Sequence, residues 1–236
     1  VNLDTHIKDT QIRKLLESFE ITELNEIQIN SIHEGLFFHR NLVISAPSSS
    51  GKTMIGTMAI ANTLFSAVGS AIFLVPYKAL AGQKEDEFTE IFAPHNFNVK
   101  SITGDTDPAE MDLTFIDLAI MTYEKCDALL RARNTFLDSV KTIIIDEIHE
   151  ISSGQRGARL EYLIIRLLHQ IRLVQMIGMT ATLSNAQELT DWLSHNTTES
   201  RNFHLIYSEK RPVELEYILN VTQNKLKKNR EYVKEN

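Results

Sequence analysis

The sequence predicts an α/β fold with a mainly parallel β-sheet covered by helices on both faces. Short apolar runs alternate with longer segments in which apolar residues recur at helical spacing. The runs are apolar at nearly every position, as in strands buried on both sides, and strands alternating with helices favour parallel pairing. After a first run from Asn41 to Pro47, the predicted strands are 71–75, 99–102, 118–121, 142–145, 173–177 and 203–207. The main predicted helices are 52–68, 77–92, 123–133, 158–171 and 185–192.

Length and composition indicate one large domain or at most two small ones. The chain has 236 residues, of which 43% are hydrophobic and 23% charged, and its net charge is −7. That charge argues against a free-standing, tight nucleic-acid binder, which needs many Lys and Arg contacts to phosphate. The single cysteine, Cys126, cannot form an internal disulfide, and we expect a half-buried, inert thiol. With no visible secretory signal, the expected location is cytoplasmic or nuclear.

The first predicted strand leads into a loop typical of a phosphate-binding site. After Pro47 come Ser48, Ser49, Ser50, Gly51, Lys52 and Thr53, and then a long helical pattern. Main-chain N–H groups and the helix dipole favour an anion at such a junction. We expect Lys52 to neutralise phosphate and the Thr53 hydroxyl to bind Mg²⁺. Ala46 stands where the strict motif has Gly, which requires an ordinary negative φ there. The alternative is a Ser-rich turn that contains Gly-Lys-Thr by chance.

Residues 53–77 carry no charge and are long enough to suggest a transmembrane span. Asn62, several hydroxyl residues and a Gly69-Ser70 break within the segment argue against that interpretation. A buried helix followed by a strand fits better. We therefore expect no membrane association.

Two adjacent carboxylates, Asp146 and Glu147, directly follow the strand 142–145. Neighbouring acids at a strand end are costly unless a cation or a substrate needs them. Because the carboxyl ends of parallel strands share one edge, this pair is expected to lie near the phosphate loop. Asp146 would hold the Mg²⁺ shell, and Glu147 would polarise the water that attacks the terminal phosphate. A solvated acidic turn is the alternative.

Taken together, the motifs resemble the first RecA-like domain of a superfamily 2 helicase, of the DExH, Ski-like branch that includes archaeal repair helicases. The resemblance covers about residues 19–213. It rests on 46–53 (motif I), 75–80 (motif Ia), 121–125 (the Thr-Pro-Glu-Lys motif, with Tyr123 in place of Pro), 146–149 (motif II), 180–182 (motif III) and the adenine-binding segment 24–28.

The resemblance implies a RecA-like P-loop NTPase fold that uses ATP and Mg²⁺. Gln28 is expected to hydrogen-bond the adenine; the alternative is a polar residue on an amphipathic helix. His149, Thr180 and Thr182 are expected to couple the nucleotide to the strand-binding surface, although His149 could instead satisfy a core hydrogen bond. In this family, single-stranded nucleic acid is contacted without regard to sequence at the positions of Lys78, Gly104, Asp105, Thr122 and Lys125. Lys78 could also be an ordinary solvated lysine.

Relatives of this family need a second RecA-like domain in cis, whose arginines reach the transferring phosphoryl group. No Gln-x-x-Gly-Arg-x-x-Arg stretch occurs in this sequence, so we expect nucleotide binding with slow hydrolysis. The expected domain is 1–213, with 214–236 as an exit segment or linker. By analogy with DNA-type relatives, the DExH form and the stretch Gly154 to Leu160, with Gln155-Arg156-Gly157 after the acidic motif, imply a slight preference for DNA over RNA. A GTPase is disfavoured because no Asn-Lys-x-Asp segment is seen. A non-catalytic scaffold module stays open as an alternative.

Overall fold

A seven-stranded parallel β-sheet organises the residues that the structure, a computed structural model, describes: 2–103, 112–171, 173–197 and 202–210. The strands are β1 (Asn41–Ser45), β2 (Ser70–Val75), β3 (Val99–Ile102), β4 (Leu118–Thr122), β5 (Val140–Ile145), β6 (Gln175–Thr180) and β7 (Phe203–Tyr207). Their spatial order is β3-β4-β2-β5-β6-β1-β7, and each pair is parallel. The α/β fold with a parallel sheet is therefore confirmed.

Helices cover both faces of this sheet. Within the described residues they are α1 (Leu3–His6), α2 (Thr10–Ser18), α3 (Glu26–His33), α4 (Lys52–Phe65), α5 (Lys78–Phe92), α6 (Tyr123–Ala132), α7 (Phe136–Ser139), α8 (Gly154–Gln170) and α9 (Ala186–His195). Short 3₁₀ turns occur at Leu36–Phe38, Ala93–His95 and Ile148–Ser152. No helix among the described residues has both the length and the apolar character needed to cross a membrane.

The core has two layers, one on each side of the sheet, because successive strand residues point to opposite faces. Leu42 and Ile44 of β1 pack in one layer with α4 and α5, whereas Val43 between them packs in the other with α6 and α8. All three residues are fully buried. Burial on both faces explains why β1 reads as a continuous apolar run.

Strand β6 begins two residues later than the sequence predicts and extends to Thr180. Leu173 is 69% exposed and has a left-handed backbone with φ of 59°, so it lies outside the sheet. The strand instead starts at the polar Gln175, whose side-chain amide donates to the carbonyls of Leu36 (2.8 Å) and Arg40 (3.0 Å). These long-range bonds satisfy a buried amide that sequence patterning alone would place at the surface.

Helix boundaries also differ from the prediction. Helix α4 ends at Phe65, because Ala67 two residues later is left-handed, and α8 begins at Gly154 rather than at 158. The sequence does not predict α1, α2 or α7. The first and last of these are single turns, too short to show a helical period.

Cys126 lies on α6 and is fully buried rather than half-buried. Burial, followed by the nearby Asp127 charge, raises the pKa of its thiol to about 12. A protonated, inaccessible thiol is a poor nucleophile, so an inert packing role fits Cys126.

Candidate nucleotide site

The loop between β1 and α4 curls around the Lys52 side chain. Gly51 has φ of 90°, a left-handed conformation that turns the chain into the helix beginning at Lys52. The Lys52 ammonium donates hydrogen bonds to the carbonyls of Ala46 (2.7 Å) and Pro47 (2.8 Å). Ala46 is absent from the residues with positive φ, so the condition set by its replacement of Gly is met.

Asn25 and Gln28 hold the loop from the side. They form a reciprocal capping box at the start of α3, in which each side chain accepts from the other's backbone N–H. The Asn25 amide also donates to the Ser50 carbonyl at 2.8 Å. A Cβ atom on Gly51 would lie 2.6 Å from the Gln28 amide nitrogen, so Gly51 lets the two segments approach closely. Asn25 lies in the same segment 24–28 as Gln28, but the sequence predicts no role for it beyond that of an N-cap residue three positions before a Gln.

The three serines of the loop differ in their surroundings. Ser48 and Ser49 are exposed, whereas Ser50 is buried, and its hydroxyl oxygen has no hydrogen-bond partner. A buried hydroxyl without a partner is uncommon in native proteins, and it often marks a place where a ligand or water binds. It lies beside Lys52 and Thr53, the latter half-buried on the first turn of α4.

The acidic pair lies at the end of β5. The Asp146 backbone N–H still donates to Leu74 of β2 at 2.9 Å, and its side chain accepts from the Glu147 N–H at 3.0 Å. Glu147 then adopts φ of 51°, which turns the chain out of the sheet into the 3₁₀ turn Ile148–Ser152. The edge of the sheet therefore presents both carboxyl groups on a tight turn.

Electrostatics join this pair to the phosphate loop. Burial lowers the pKa of Lys52, while the charges of Glu147 and Asp146 oppose that shift. Burial and the adjacent Glu147 raise the pKa of Asp146, and the shift is opposed by Lys84, by the Glu147 N–H and by Lys52. The structure thus brings Lys52 together with Asp146 and Glu147. Lys84 on α5, which the sequence analysis missed, adds a second cation close to Asp146.

The donor types around this point fit a divalent cation bound together with phosphate. Thr53 supplies a hydroxyl and the acidic pair supplies carboxylates, and these hard oxygen ligands suit Mg²⁺. Nowhere in the described part of the chain do three or more His, Cys, Asp or Glu side chains gather into a site of their own.

His149 connects the acidic turn to the end of β6. Its Nδ1 lies 3.1 Å from the Thr180 hydroxyl and 3.2 Å from a Glu147 carboxylate oxygen. Thr180 is fully buried, whereas Thr182 is exposed. The Ser45 hydroxyl, for which the sequence predicts no contact, donates to the Ala181 carbonyl and accepts from the Leu183 N–H. These two hydrogen bonds connect the end of β1 to the loop after β6.

The residues expected to contact nucleic acid lie along the carboxyl ends of β2 and β4. Lys78 is exposed at the start of α5, and the buried Thr122 caps α6 by accepting from the Lys125 N–H at 3.4 Å. Gly104 and Asp105 lie outside the described residues. Two side chains for which the sequence predicts no nucleic-acid contact, those of Tyr77 and Arg156, lie beside these residues. The Arg156 guanidinium stacks on the Tyr77 ring, at 4.4 Å from the ring centroid.

A parallel sheet with a phosphate loop after β1 and an acidic pair after β5 defines a P-loop nucleotide-binding domain of the RecA-like class. The chain belongs to the DEAD/DEAH box helicase family, because residues 25–189 match the sequence profile of that family. The expected first RecA-like domain of a DExH helicase is thereby confirmed.

Curated relatives support the same assignment. The chain is 39% identical over 207 residues to the ATP-dependent DNA helicase Hel308 of Pyrococcus horikoshii, covering 88% of this chain and 27% of that protein. It is 37% identical over 211 residues to the protein of that name from Methanocaldococcus jannaschii, covering 87% and 17%. The chain therefore spans about a quarter or less of the length of these relatives.

A solved structure supports the fold alone. It is the DUF1998 helicase MrfA bound to DNA, which matches 84% of this chain and 29% of its own chain with a TM-score of 0.68. At 24% sequence identity, the likeness extends to the architecture of the domain and not to the roles of individual residues.

Proposed function

We propose that this chain is the ATP-binding domain of an ATP-dependent nucleic-acid helicase, in which Mg·ATP binding and hydrolysis drive movement along a single strand. The observation that carries the proposal is the meeting of Lys52 with Asp146 and Glu147 at one edge of the sheet. Membership of the DEAD/DEAH box helicase family and the likeness to proteins named ATP-dependent DNA helicase add support.

In this proposal, the loop binds the phosphates of the nucleotide. The N–H groups of Ser48 to Gly51 and the Lys52 ammonium surround the anion, and Lys52 exchanges its loop carbonyls for phosphate oxygens. Thr53, Asp146 and Glu147 would hold Mg²⁺, which supplies charge neutralisation for the phosphates when bound. Gln28, held 2.6 Å from the Cβ position of Gly51, is suited to reading the adenine beside the loop.

Hydrolysis in this proposal depends on Glu147 as the group that orients and polarises the attacking water. Its carboxylate contacts the His149 imidazole, which in turn contacts Thr180. A change at the nucleotide could therefore reach the end of β6 through two short contacts. We assign the coupling role to His149 and Thr180 on this basis, and to the exposed Thr182 because it follows Thr180 in the same motif.

We expect Glu147→Gln to leave Mg·ATP affinity within about threefold while lowering single-turnover hydrolysis at least about 100-fold, or about 2.7 kcal/mol of barrier. The amide keeps the shape and polarity of the side chain but cannot accept the water proton. The measurement is release of labelled phosphate with the protein in excess over nucleotide, at a saturating protein concentration and with single-stranded DNA present. Glu17→Gln, on the exposed face of α2, is the matched control. Equal rates for wild type and Glu147→Gln would contradict the assigned role.

The nucleic-acid surface in this proposal is local, consistent with the net charge of −7. Lys78, Thr122 and Lys125 would contact the sugar–phosphate backbone, with Gly104 and Asp105 as further proposed contacts. The 214–236 segment would lead to a second RecA-like domain, which provides the remaining half of the strand-binding track and the missing arginines. Residues 1–213 form the proposed domain, and hydrolysis by this chain alone is expected to be slow.

We expect the chain to bind single-stranded DNA more tightly than RNA of the same sequence, as the name of the DNA helicase relatives suggests. Binding should depend little on base sequence, because the proposed contacts are to the backbone. The measurement is filter binding over a salt series. Lys78→Ala should weaken binding similarly for all sequences and reduce the salt slope by about one, the contribution of one phosphate contact. Lys14→Ala on the exposed side of α2 should leave the slope unchanged. Tighter binding to RNA would overturn the DNA preference.

A further inference from the structure

The peptide group that joins Asp146 to Glu147 is held from outside its own turn. Its carbonyl oxygen accepts a hydrogen bond from the Tyr123 hydroxyl, while its N–H donates to the Asp146 carboxylate at 3.0 Å. The preceding N–H, that of Asp146, donates to Leu74 at 2.9 Å. The Tyr123 hydroxyl therefore holds the backbone just beyond the end of β5, where hydrogen bonds within the sheet no longer constrain it.

Restraint matters at this place because Glu147 has φ of 51°, a left-handed conformation that is unfavourable for a residue with a side chain. Such a conformation persists only where the surroundings impose it. The orientation of this peptide sets the direction in which both carboxylates point. A contact that holds its carbonyl thus holds the acidic pair.

Tyr123 is well suited to this contact. It is only 4% exposed, and a phenol is protonated at neutral pH, so its hydroxyl acts as a hydrogen-bond donor here. Tyr123 is the first residue of α6, directly after the Thr122 cap, and the Arg156 guanidinium lies 6.0 Å from the centroid of its ring.

The same tyrosine lies between the proposed strand-binding surface and the acidic turn. Thr122 and Lys125 flank it on α6, and Arg156 connects its ring to the half-exposed ring of Tyr77. The Arg156 Nε also lies 3.5 Å from a Glu124 carboxylate oxygen. The position where the helicase motif has Pro is therefore occupied here by a side chain that reaches the acidic motif.

We propose that Tyr123 is a positioning residue, which holds the Asp146–Glu147 peptide in the orientation needed to bind the divalent cation of the nucleotide. The inference rests on the proposed function, since it concerns the metal-dependent part of nucleotide binding. Tyr123 itself touches neither nucleotide nor cation. Removing its hydroxyl leaves the buried Asp146 carbonyl without this donor and frees the peptide to rotate, while the phosphate loop is unchanged.

The test compares the affinity of a fluorescent, non-hydrolysable ATP analogue in Mg²⁺ with that in EDTA. The dissociation constant in EDTA divided by the dissociation constant in Mg²⁺ measures how much Mg²⁺ tightens binding. We expect Tyr123→Phe to lower this ratio about fivefold, because one ordinary hydrogen bond is lost. If the wild-type ratio is below about five, the ratio for Tyr123→Phe should fall to one. The affinity in EDTA should stay within about twofold, because the loop carries that part of binding.

Controls separate positioning from general damage. Tyr162→Phe removes an exposed hydroxyl from α8 and should leave both affinities unchanged, and Asp146→Asn sets the ratio expected when the acidic motif cannot act. Thermal unfolding of Tyr123→Phe should show a decrease of only about 2–4 °C. Placing p-aminophenylalanine at position 123 restores an N–H donor on the same ring and should restore the ratio.

The outcomes are distinct. A wild-type ratio in Tyr123→Phe, with Asp146→Asn reduced, would overturn the positioning role and leave the proposed function intact. A low ratio in both Tyr123→Phe and the p-aminophenylalanine protein would show that a donor on this ring does not restore metal-dependent binding, and would also overturn the proposal. If Mg²⁺ does not tighten binding to the wild-type chain, the proposed nucleotide site and the positioning role both fail.

Discussion

Replacing Lys52 by alanine is expected to abolish the stabilisation that Mg·ATP gives to this chain. At a nucleotide concentration about 100 times the dissociation constant, the wild-type chain should gain about 2.7 kcal/mol. For a domain of this size, that gain corresponds to a rise of about 5–10 °C in the melting temperature. The measurement is thermal unfolding with and without Mg·ATP, and Lys52→Ala should show a rise of less than about 1 °C.

The physical reason is that the Lys52 ammonium lies within the loop itself, where it donates hydrogen bonds to the carbonyls of Ala46 and Pro47. A triphosphate in this loop without that ammonium would face the carboxylates of Asp146 and Glu147 with much less compensation. Each variant is compared with its own melting temperature without nucleotide, which removes the effect of the lost loop bonds. Lys14→Ala is the control, and a full rise in Lys52→Ala would mean that nucleotide binds elsewhere.

Gly157→Ala is expected to destabilise the fold by about 2–4 kcal/mol, because an added Cβ atom collides with backbone rather than with a movable side chain. That atom would lie 2.7 Å from the carbonyl carbon of Ile151 and 2.9 Å from the Glu150 carbonyl oxygen, with the Ile151 oxygen closer still. Helix α8 rests on the 3₁₀ turn Ile148–Ser152 at this point. The melting temperature should fall by about 5–15 °C.

The matched control for this change is Gly82→Ala on α5. No atom lies within 4 Å of the Cβ position at Gly82, so alanine there should be stabilising by about 0.5–1 kcal/mol through helix propensity. If the two substitutions have the same effect on the melting temperature, the close approach of α8 to the acidic turn is not a constraint on stability. Nucleotide binding by Gly157→Ala should also weaken, because the turn that must move carries Glu147 at its start.

The site was predictable where its residues are close in sequence. Six residues in a row, from Ser48 to Thr53, form the phosphate loop, and the acidic pair follows its strand directly. Their meeting across β6 follows from the parallel order of the strands, because all carboxyl ends share one edge. Cys126 was expected to be half-buried, whereas its burial is complete, and its raised pKa fits the expected inert thiol.

The prediction was wrong or incomplete where distant residues decide the outcome. The start of β6 depends on Gln175, whose amide is satisfied by carbonyls about 135 positions earlier in the chain. Asn25 reaches Ser50, and Lys84 lies near Asp146, and neither long-range approach follows from the residues next to it in the sequence. From the sequence, Tyr123 stands out only as a replacement for Pro, whereas in the structure its hydroxyl contacts the acidic motif.

The sequence by itself determined the sheet, the phosphate loop and the acidic pair, because apolar periodicity and motif chemistry are properties of neighbouring residues. The tertiary structure alone decided which side chains restrain those motifs: Asn25 at the loop, His149 with Thr180 at the end of β6, and Tyr123 at the acidic turn. Hydrogen bonds of this kind depend on distances of about 3 Å between residues far apart in the chain. Such distances exist only once the layers of the fold have packed.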